Sequence, residues 1–300
     1  MRARRPPRYK NMVMTPRKLP WYDHAGNFSP WKTAVLTALF IPGLWTMISF
    51  AMERLGARPL TEAIHQFGDW TIRLIFISLA ITPTRILLQW PRLLDVRRMI
   101  GVAAFAYISM HFLLYIGDQS FNLAEVASEI VLRIYLTIGF VALVGLAVLA
   151  TTSTDDWQRK LGARRWQSLH RVIYGIGVLA VIHFCLQSKL NEWEPTVMAG
   201  IFLWLMGCRL VTWRYGRGRL PLWVAGGLSL ASALLTALGE AFYFWIAMGA
   251  PFGLVLDANL SLETGLRPAW VVLASTGGLV LLGALRALVK PPSKARLKTA

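Results

Sequence analysis

The sequence has 300 residues, of which 55% are hydrophobic and only 16% are charged. Soluble globular domains have roughly a quarter of their residues charged, so this composition excludes an ordinary soluble domain and predicts an integral membrane protein. The formal net charge of +17 would suggest nucleic-acid binding in a soluble chain. Here the basic residues lie in short segments between apolar runs, which argues against nucleic acid as a partner and for a membrane lipid environment.

Eight apolar runs have about the 17 to 25 residues that a helix needs to cross a bilayer. They predict an all-α fold, a polytopic membrane helix bundle with about eight transmembrane helices. The runs lie near residues 32–52, 70–88, 99–117, 130–151, 169–187, 196–213, 222–247 and 269–289.

Lysine and arginine define the orientation of the bundle. With the N-terminus inside, 25 of the 32 basic residues fall on the cytoplasmic side, as the positive-inside rule requires. Residues 1–31 are then a basic cytoplasmic arm, and both termini are cytoplasmic.

Two histidines lie at matching depth in separate apolar helices. His111 follows the Arg97–Arg98 pair by thirteen residues, a rise of roughly 20 Å, and His183 reaches a similar depth on the fifth helix. An imidazole inside a membrane is costly and is by default a functional candidate. Two histidines on two helices at one level can ligate a haem iron from both sides. The alternative is that each ring only bonds to a neighbouring helix.

His170 lies at the opposite, inner level of the predicted fifth helix, after the basic and aromatic run that begins at Lys160. The matching position on the third helix is occupied by Arg97 and Arg98, so no second inner histidine is available. His170 therefore either binds an inner cofactor with another partner or shares the one haem. A polar interfacial role is the alternative.

Five arginines surround this inner level and are candidates for binding a cofactor. Guanidinium groups bind oxyanions with paired donors, which suits haem propionates or a flavin phosphate. The same arginines could equally well serve only to orient the helices in the membrane. The remaining histidines, His24 in the basic arm and His65 near the outer face, are expected to be surface groups. The five arginines are Arg97, Arg98, Arg164, Arg165 and Arg171.

Together these motifs resemble a known family, the haem-binding membrane subunit of the periplasmic protein-methionine-sulfoxide reductase system. This is the MsrQ or YedZ family, within the ferric-reductase-like transmembrane superfamily, and the likeness covers about residues 35–215. The matching residues are Arg97, Arg98, Gly101, Phe105, His111, Tyr115, Leu161, Gly162, Trp166, Leu169, His170, Tyr174 and His183, supported by residues 79–83 and 135–139.

The resemblance implies a b-type haem on His111, His170 and His183, and a bound FMN. It also implies an inner-membrane protein that passes electrons from the quinone pool to a periplasmic molybdenum-containing subunit, which reduces methionine sulfoxide in proteins. Such a chain is an electron-transfer subunit rather than a catalyst by itself. The superfamily has four histidines on two helices, and this chain lacks one of them.

The predicted organisation is a haem-binding core over residues 32–215 and a two-helix membrane extension with a basic tail over residues 216–300. A six-helix core of the family type does not need this extension. Two other functions remain open. One is a ferric-chelate or quinol-linked b-type cytochrome with another acceptor, and the other is a haem-free membrane scaffold or transporter.

Overall fold

The structure, a computed structural model, describes residues 19–22, 26–188, 192–216, 218–263 and 265–289. Within these ranges the secondary structure is helical, and only an isolated bridge between Tyr22 and Phe28 has β geometry. Eight helical segments in this part of the chain are long and apolar enough to cross a membrane. The predicted all-α membrane bundle is confirmed.

Eleven α-helices and one short 3-10 turn, Pro91–Leu93, follow one another along the described chain. Most of the long helices correspond to one predicted run each. Their bounds are α1 Pro30–Ala51, α2 Pro59–Leu87, α3 Leu94–Asp118, α4 Leu123–Leu132, α5 Ile134–Thr151, α6 Asp155–His170, α7 Ile173–Gln187, α8 Trp193–Arg214, α9 Leu222–Met248, α10 Phe252–Leu260 and α11 Pro268–Val289.

Three predicted boundaries differ from the structure. Helix α2 begins at Pro59, eleven residues before the predicted run, because Ala63, Ile64 and Phe67 form a buried face among polar neighbours that lower the local hydropathy. The run predicted over 130–151 is interrupted at Arg133, whose extended backbone separates α4 from α5. The segment after Gly249, expected to be a loop, contains α10.

The predicted fifth helix is also divided. His170 is the last residue of α6, and α7 begins at Ile173, so His170 and His183 lie on consecutive helices rather than on one. Within α6, Gly162 has φ 73° and ψ 156°, a conformation that suits glycine because it has no Cβ. This kink reorients the chain before Trp166 and His170.

The buried core lies where α2 packs along α3 and where α5 packs along α7, with α8 beside both α2 and α7. Its largest fully buried side chains include Trp204, Ile75, Leu79 and Leu205. Many leucine, isoleucine and valine side chains on the outer surface are exposed. In water such an exposed apolar surface would promote aggregation, whereas in a membrane lipid tails cover it.

The side chain of Tyr107 on α3 is inserted between two backbone groups of α1 and joins the two helices. Next to Pro42, the amide of Gly43 donates to the Tyr107 hydroxyl (2.8 Å), which donates to the carbonyl of Leu39 (2.7 Å). In a regular helix that amide and that carbonyl would bond to each other. Tyr107 therefore bridges the interruption and holds α1 one helical turn away from His111.

Candidate haem site

His111 on α3 and His183 on α7 face one another across the gap between their helices. Their ring centroids are 6.4 Å apart, and the ring planes are nearly perpendicular, at 87°. The structure thus brings together the two residues that the sequence places at one depth.

Each of these imidazoles is anchored at Nδ1. The Nδ1–H of His111 donates to the backbone carbonyl of Ile64 (2.7 Å), and that of His183 donates to the carbonyl of Tyr135 (2.8 Å). A carbonyl can only accept, so the proton lies on Nδ1 and the Nε2 lone pair remains available. Metal-ligating histidines have this second contact, which fixes the tautomer and raises ligand basicity.

A glycine makes room for each ring. A Cβ at Gly68 would lie 3.1 Å from Cε1 and Nδ1 of His111, and a Cβ at Gly139 would lie 2.8 Å from Cε1 of His183. Each glycine follows its anchoring carbonyl, that of Ile64 or Tyr135, by four residues. Residues i and i+4 share one helix face, so α2 and α5 offer the two rings the same arrangement. In each, a backbone carbonyl that accepts the Nδ1–H lies beside a glycine that leaves space for the ring.

The donor set fits a haem iron. A metal–imidazole bond is about 2 Å long, so two rings on opposite sides of one metal have centroids roughly 6 to 6.5 Å apart, which matches the observed separation. The described residues contain no group of three or more histidine, cysteine, aspartate or glutamate side chains able to hold a metal. Two histidines at this separation suit a metal whose other four ligands come from a porphyrin.

His170 has a different environment. Its ring stacks on Trp166, with centroids 3.9 Å apart, and its Nε2 lies 3.3 Å from the hydroxyl of Thr152. The indole of Trp166 in turn donates to the carbonyl of Thr152 (2.9 Å). The structure does not bring His170 together with His111 and His183.

The five candidate arginines are not gathered in one place. Arg98 is exposed and bonds to the Asp155 carboxylate (2.5 Å), while Arg171 bonds to the Ser168 hydroxyl (2.6 Å). Arg164 and Arg165 are exposed. Arg97 alone among the five is half-buried.

Sequence reasoning missed the two glycines that lie against the imidazole rings. Gly68 and Gly139 could have been suspected as helical glycines flanked by apolar residues, although their histidine partners are distant in sequence. His65 is an exposed residue of α2, and His24 lies outside the described residues.

An all-helical membrane bundle with a histidine pair between two helices is the architecture of a ferric-reductase-like transmembrane component. The family model of that description matches residues 67–181. No solved structure matches the chain.

Three curated relatives are each described as the heme-binding subunit MsrQ of protein-methionine-sulfoxide reductase. The protein of Rhodospirillum rubrum is 41% identical over 181 residues, 60% of this chain and 87% of the relative. That of Caulobacter vibrioides is 36% identical over 186 residues, 62% and 86% of the two chains. That of Xanthomonas campestris is 41% identical over 186 residues, 60% and 85%. The chain therefore belongs to the MsrQ family, which confirms the resemblance seen in its motifs.

Proposed function

We propose that this protein binds haem b and acts as the membrane electron-transfer subunit of a protein-methionine-sulfoxide reductase system. The single observation that supports it most is the pair His111 and His183, with both Nδ1 atoms anchored and centroids 6.4 Å apart. The relatives named as haem-binding subunits support the same function.

The protein contributes ligands, orientation and a low-dielectric surrounding, while the bound haem supplies one-electron chemistry. The carbonyls of Ile64 and Tyr135 fix both rings before the cofactor arrives, so little side-chain entropy is lost on ligation. His111 and His183 would both hold the haem iron. This arrangement favours electron transfer over oxygen binding.

The family and the charge distribution support a direction of electron transfer and a set of partners. Basic residues concentrated at one end of the helices favour cytoplasmic termini in an inner membrane. We infer that electrons pass from the quinone pool to a periplasmic molybdenum-containing catalytic subunit that repairs methionine sulfoxide, with FMN as a second cofactor. His170 is a candidate for a second, inner haem, since it lies apart from the outer pair.

Absorption spectra of the purified protein, as isolated and after dithionite, test the proposal together with a pyridine haemochrome assay. We expect the sharp reduced bands of a six-coordinate b-type cytochrome. His111→Ala and His183→Ala should each abolish these bands. His65→Ala, which removes an exposed histidine of α2, is the matched control and should leave them intact.

The haem content of His170→Ala then decides the number of haems. A fall from two haems to one assigns the inner site, and an unchanged value leaves a single outer haem. Spectra that are unaltered in both His111→Ala and His183→Ala would overturn the ligand assignment. A colourless wild-type protein, expressed with sufficient haem, would overturn the function itself.

A further inference from the structure

Helix α4 connects α3 to α5 on the side of the bundle where His111 and His183 lie near the ends of their helices. It runs from Leu123 to Leu132, between the last residue of α3 and the first turn of α5. Its ten residues rise only about 15 Å, which is too short to cross a bilayer. Because α4 joins two consecutive membrane spans, it lies at the border between lipid and water.

The side chains of α4 form three stripes, because residues four apart share one face of a helix. Val126 is only 4% exposed and Ile130 is half-buried, so this stripe faces the bundle. Beside it lies an exposed apolar stripe, in which Leu123 is 65% and Val131 is 79% exposed. Ala127, between these two, is exposed as well. The third stripe is polar and consists of Glu125, Ser128 and Glu129.

The exposed apolar stripe continues the surface that lipid covers elsewhere in the bundle. Val131 is followed by exposed Ile134 at the start of α5 and, further along that helix, by exposed Val141 and Val144. An amphipathic helix of this kind lies in the plane of a membrane interface, with its apolar side at the boundary of head groups and acyl chains. Lipid therefore fits α4, since it covers the apolar stripe and leaves the carboxylates of the polar stripe in water.

Two side chains hold the elbow, which is the junction of α4 and α5 at the extended backbone of Arg133. The hydroxyl of Thr137 on α5 donates to the carbonyl of Ile130 on α4 (2.5 Å), and the last carbonyls of a helix lack partners within it. The guanidinium of Arg133 pairs with the Glu129 carboxylate and donates to the hydroxyl of Tyr135 (3.2 Å). These contacts fix the first turn of α5 to α4.

We propose that α4 lies in the lipid head-group layer and, through the elbow, positions the ring of His183. The carbonyl of Tyr135 accepts the Nδ1–H of His183 (2.8 Å), and Gly139, one turn further along α5, leaves space for the same ring. Thr137 lies in the turn that holds this imidazole and is therefore a positioning residue. The positioning of His183 rests on the proposed haem ligation, whereas the lipid contact of α4 does not.

Fluorescence in lipid nanodiscs tests the lipid contact. Cys185→Ala and Cys208→Ala remove the two native thiols, and Leu123→Cys, Val131→Cys or Ser128→Cys then supplies a single site for an environment-sensitive label. The nanodiscs consist of phosphatidylcholine with a doxyl quencher near the head group. This lipid should quench the labels at Leu123→Cys and Val131→Cys severalfold more than the label at Ser128→Cys. The Ser128→Cys label, the matched control on the polar stripe, should instead be quenched by iodide in the water.

Two results would overturn the lipid contact. Iodide quenching of Leu123→Cys and Val131→Cys equal to that of Ser128→Cys would leave the apolar stripe in water, open to a soluble partner protein. Shielding of the first two labels from both quenchers would mean that a second copy of the chain covers the stripe.

Electron paramagnetic resonance of the oxidised haem tests the elbow. The signal of a haem with two histidine ligands depends on the angle between the imidazole planes, which is 87° here. Thr137→Val removes the hydroxyl that contacts α4, and we expect a shifted signal from a protein that still binds haem. Thr137→Ser keeps the hydroxyl and should keep the wild-type signal. The control is Thr151→Val at the other end of α5, whose hydroxyl bonds to the carbonyls of Ala147 and Val148 in its own helix.

A signal that is unchanged in Thr137→Val would overturn the positioning role. Where Thr137→Val does not fold, Arg133→Gln changes an exposed side chain, breaks its contacts with Glu129 and Tyr135, and should shift the signal as well. An unchanged signal in that variant would also overturn the role. A wild-type protein without any haem signal would instead contradict the proposed function, and the fluorescence test decides the position of α4 in either case.

Discussion

Glycines in two regions of this bundle serve different purposes. In the histidine region, which surrounds His111 and His183, Gly68 lies against the His111 ring and Gly139 against the His183 ring. In the C-terminal region, a Cβ at Gly200 of α8 would lie 2.3 Å from the hydroxyl of Thr236 on α9 and 2.6 Å from Val272 on α11. The first pair of glycines makes space for a ring, whereas Gly200 lets three helices approach closely, as small residues do in membrane bundles.

The polar side chains of the two regions also have different roles. In the histidine region, the hydrogen bonds of His111 and His183 are made at Nδ1, which leaves each Nε2 available to a ligand. Polar atoms of the C-terminal region join helices instead: Arg267 bonds to Glu240 (2.7 Å) and to Asn259 (3.0 Å). The comparison predicts that changes in the first region alter the cofactor, while changes in the second alter stability alone.

Gly139→Ala should have the largest effect. Its Cβ would meet three atoms of the His183 ring, at 2.8, 2.9 and 3.3 Å, and would push the ring off its carbonyl anchor. We expect loss of most of the b-type absorption, measured as haem per chain. Gly68→Ala should lose less, because its closest contact is 3.1 Å.

Gly175→Ala is the matched control for this first prediction, since it lies on the same helix as His183 and its Cβ would have no neighbour within 4 Å. It should retain full haem content. Full haem content in Gly139→Ala as well would show that the ring is not held as the structure places it.

Arg267→Gln tests the second region. Glu240 is only 6% exposed, and removing its partner leaves a buried carboxylate unpaired, which costs about 3 to 5 kcal/mol when a buried pair is broken. Thermal unfolding in detergent should show a much lower midpoint with an unchanged haem spectrum. The double variant Glu240→Gln/Arg267→Gln should recover part of the loss. Arg286→Gln, which changes an exposed arginine of α11, the helix that begins directly after Arg267, should change little. A loss of haem in Arg267→Gln would contradict the separation of the two regions.

Gly200→Ala should destabilise less, by about 1 to 3 kcal/mol, because it overpacks a contact that can partly adjust. The measurement is again the unfolding midpoint beside the haem spectrum. Thr236→Ala in the same chain removes the closest contact, the hydroxyl at 2.3 Å, and should restore part of the stability. Equal midpoints for Gly200→Ala and wild type would mean that α8 and α9 do not approach as closely as described.

The sequence predicts the class of fold and the histidine pair for the same physical reason. Apolar runs must cross the bilayer, and the rise per residue then converts position into depth, so His111 and His183 fall at one level. The sequence does not predict Gly68 or Gly139 as site residues. Their partners lie on other helices, and hydropathy contains no information about which helices are neighbours.

Local backbone breaks are missed for a related reason. Arg133 interrupts a run that remains apolar on both sides, and the turn after His170 lies among the first residues of the predicted fifth run, so average hydropathy does not reveal either break. The structure therefore places His170 and His183 on two consecutive helices, α6 and α7, rather than on one. The sequence therefore predicts the depth of a residue in the bundle, but not which residues of other helices lie beside it.

Tyr107→Phe should have the smallest effect and defines the border of the histidine region. The hydroxyl bridges Leu39 and Gly43 of α1, yet after its removal that amide and carbonyl can bond to each other as in a regular helix. The net loss should be close to that of one hydrogen bond, about 1 kcal/mol, seen as a small decrease in the unfolding midpoint. Because Tyr107 lies one turn from His111 but faces α1, the haem spectrum should not change. A shifted spectrum would show that α1 helps to position the ring of His111, and the histidine region would then include α1 as well as α2, α3, α5 and α7.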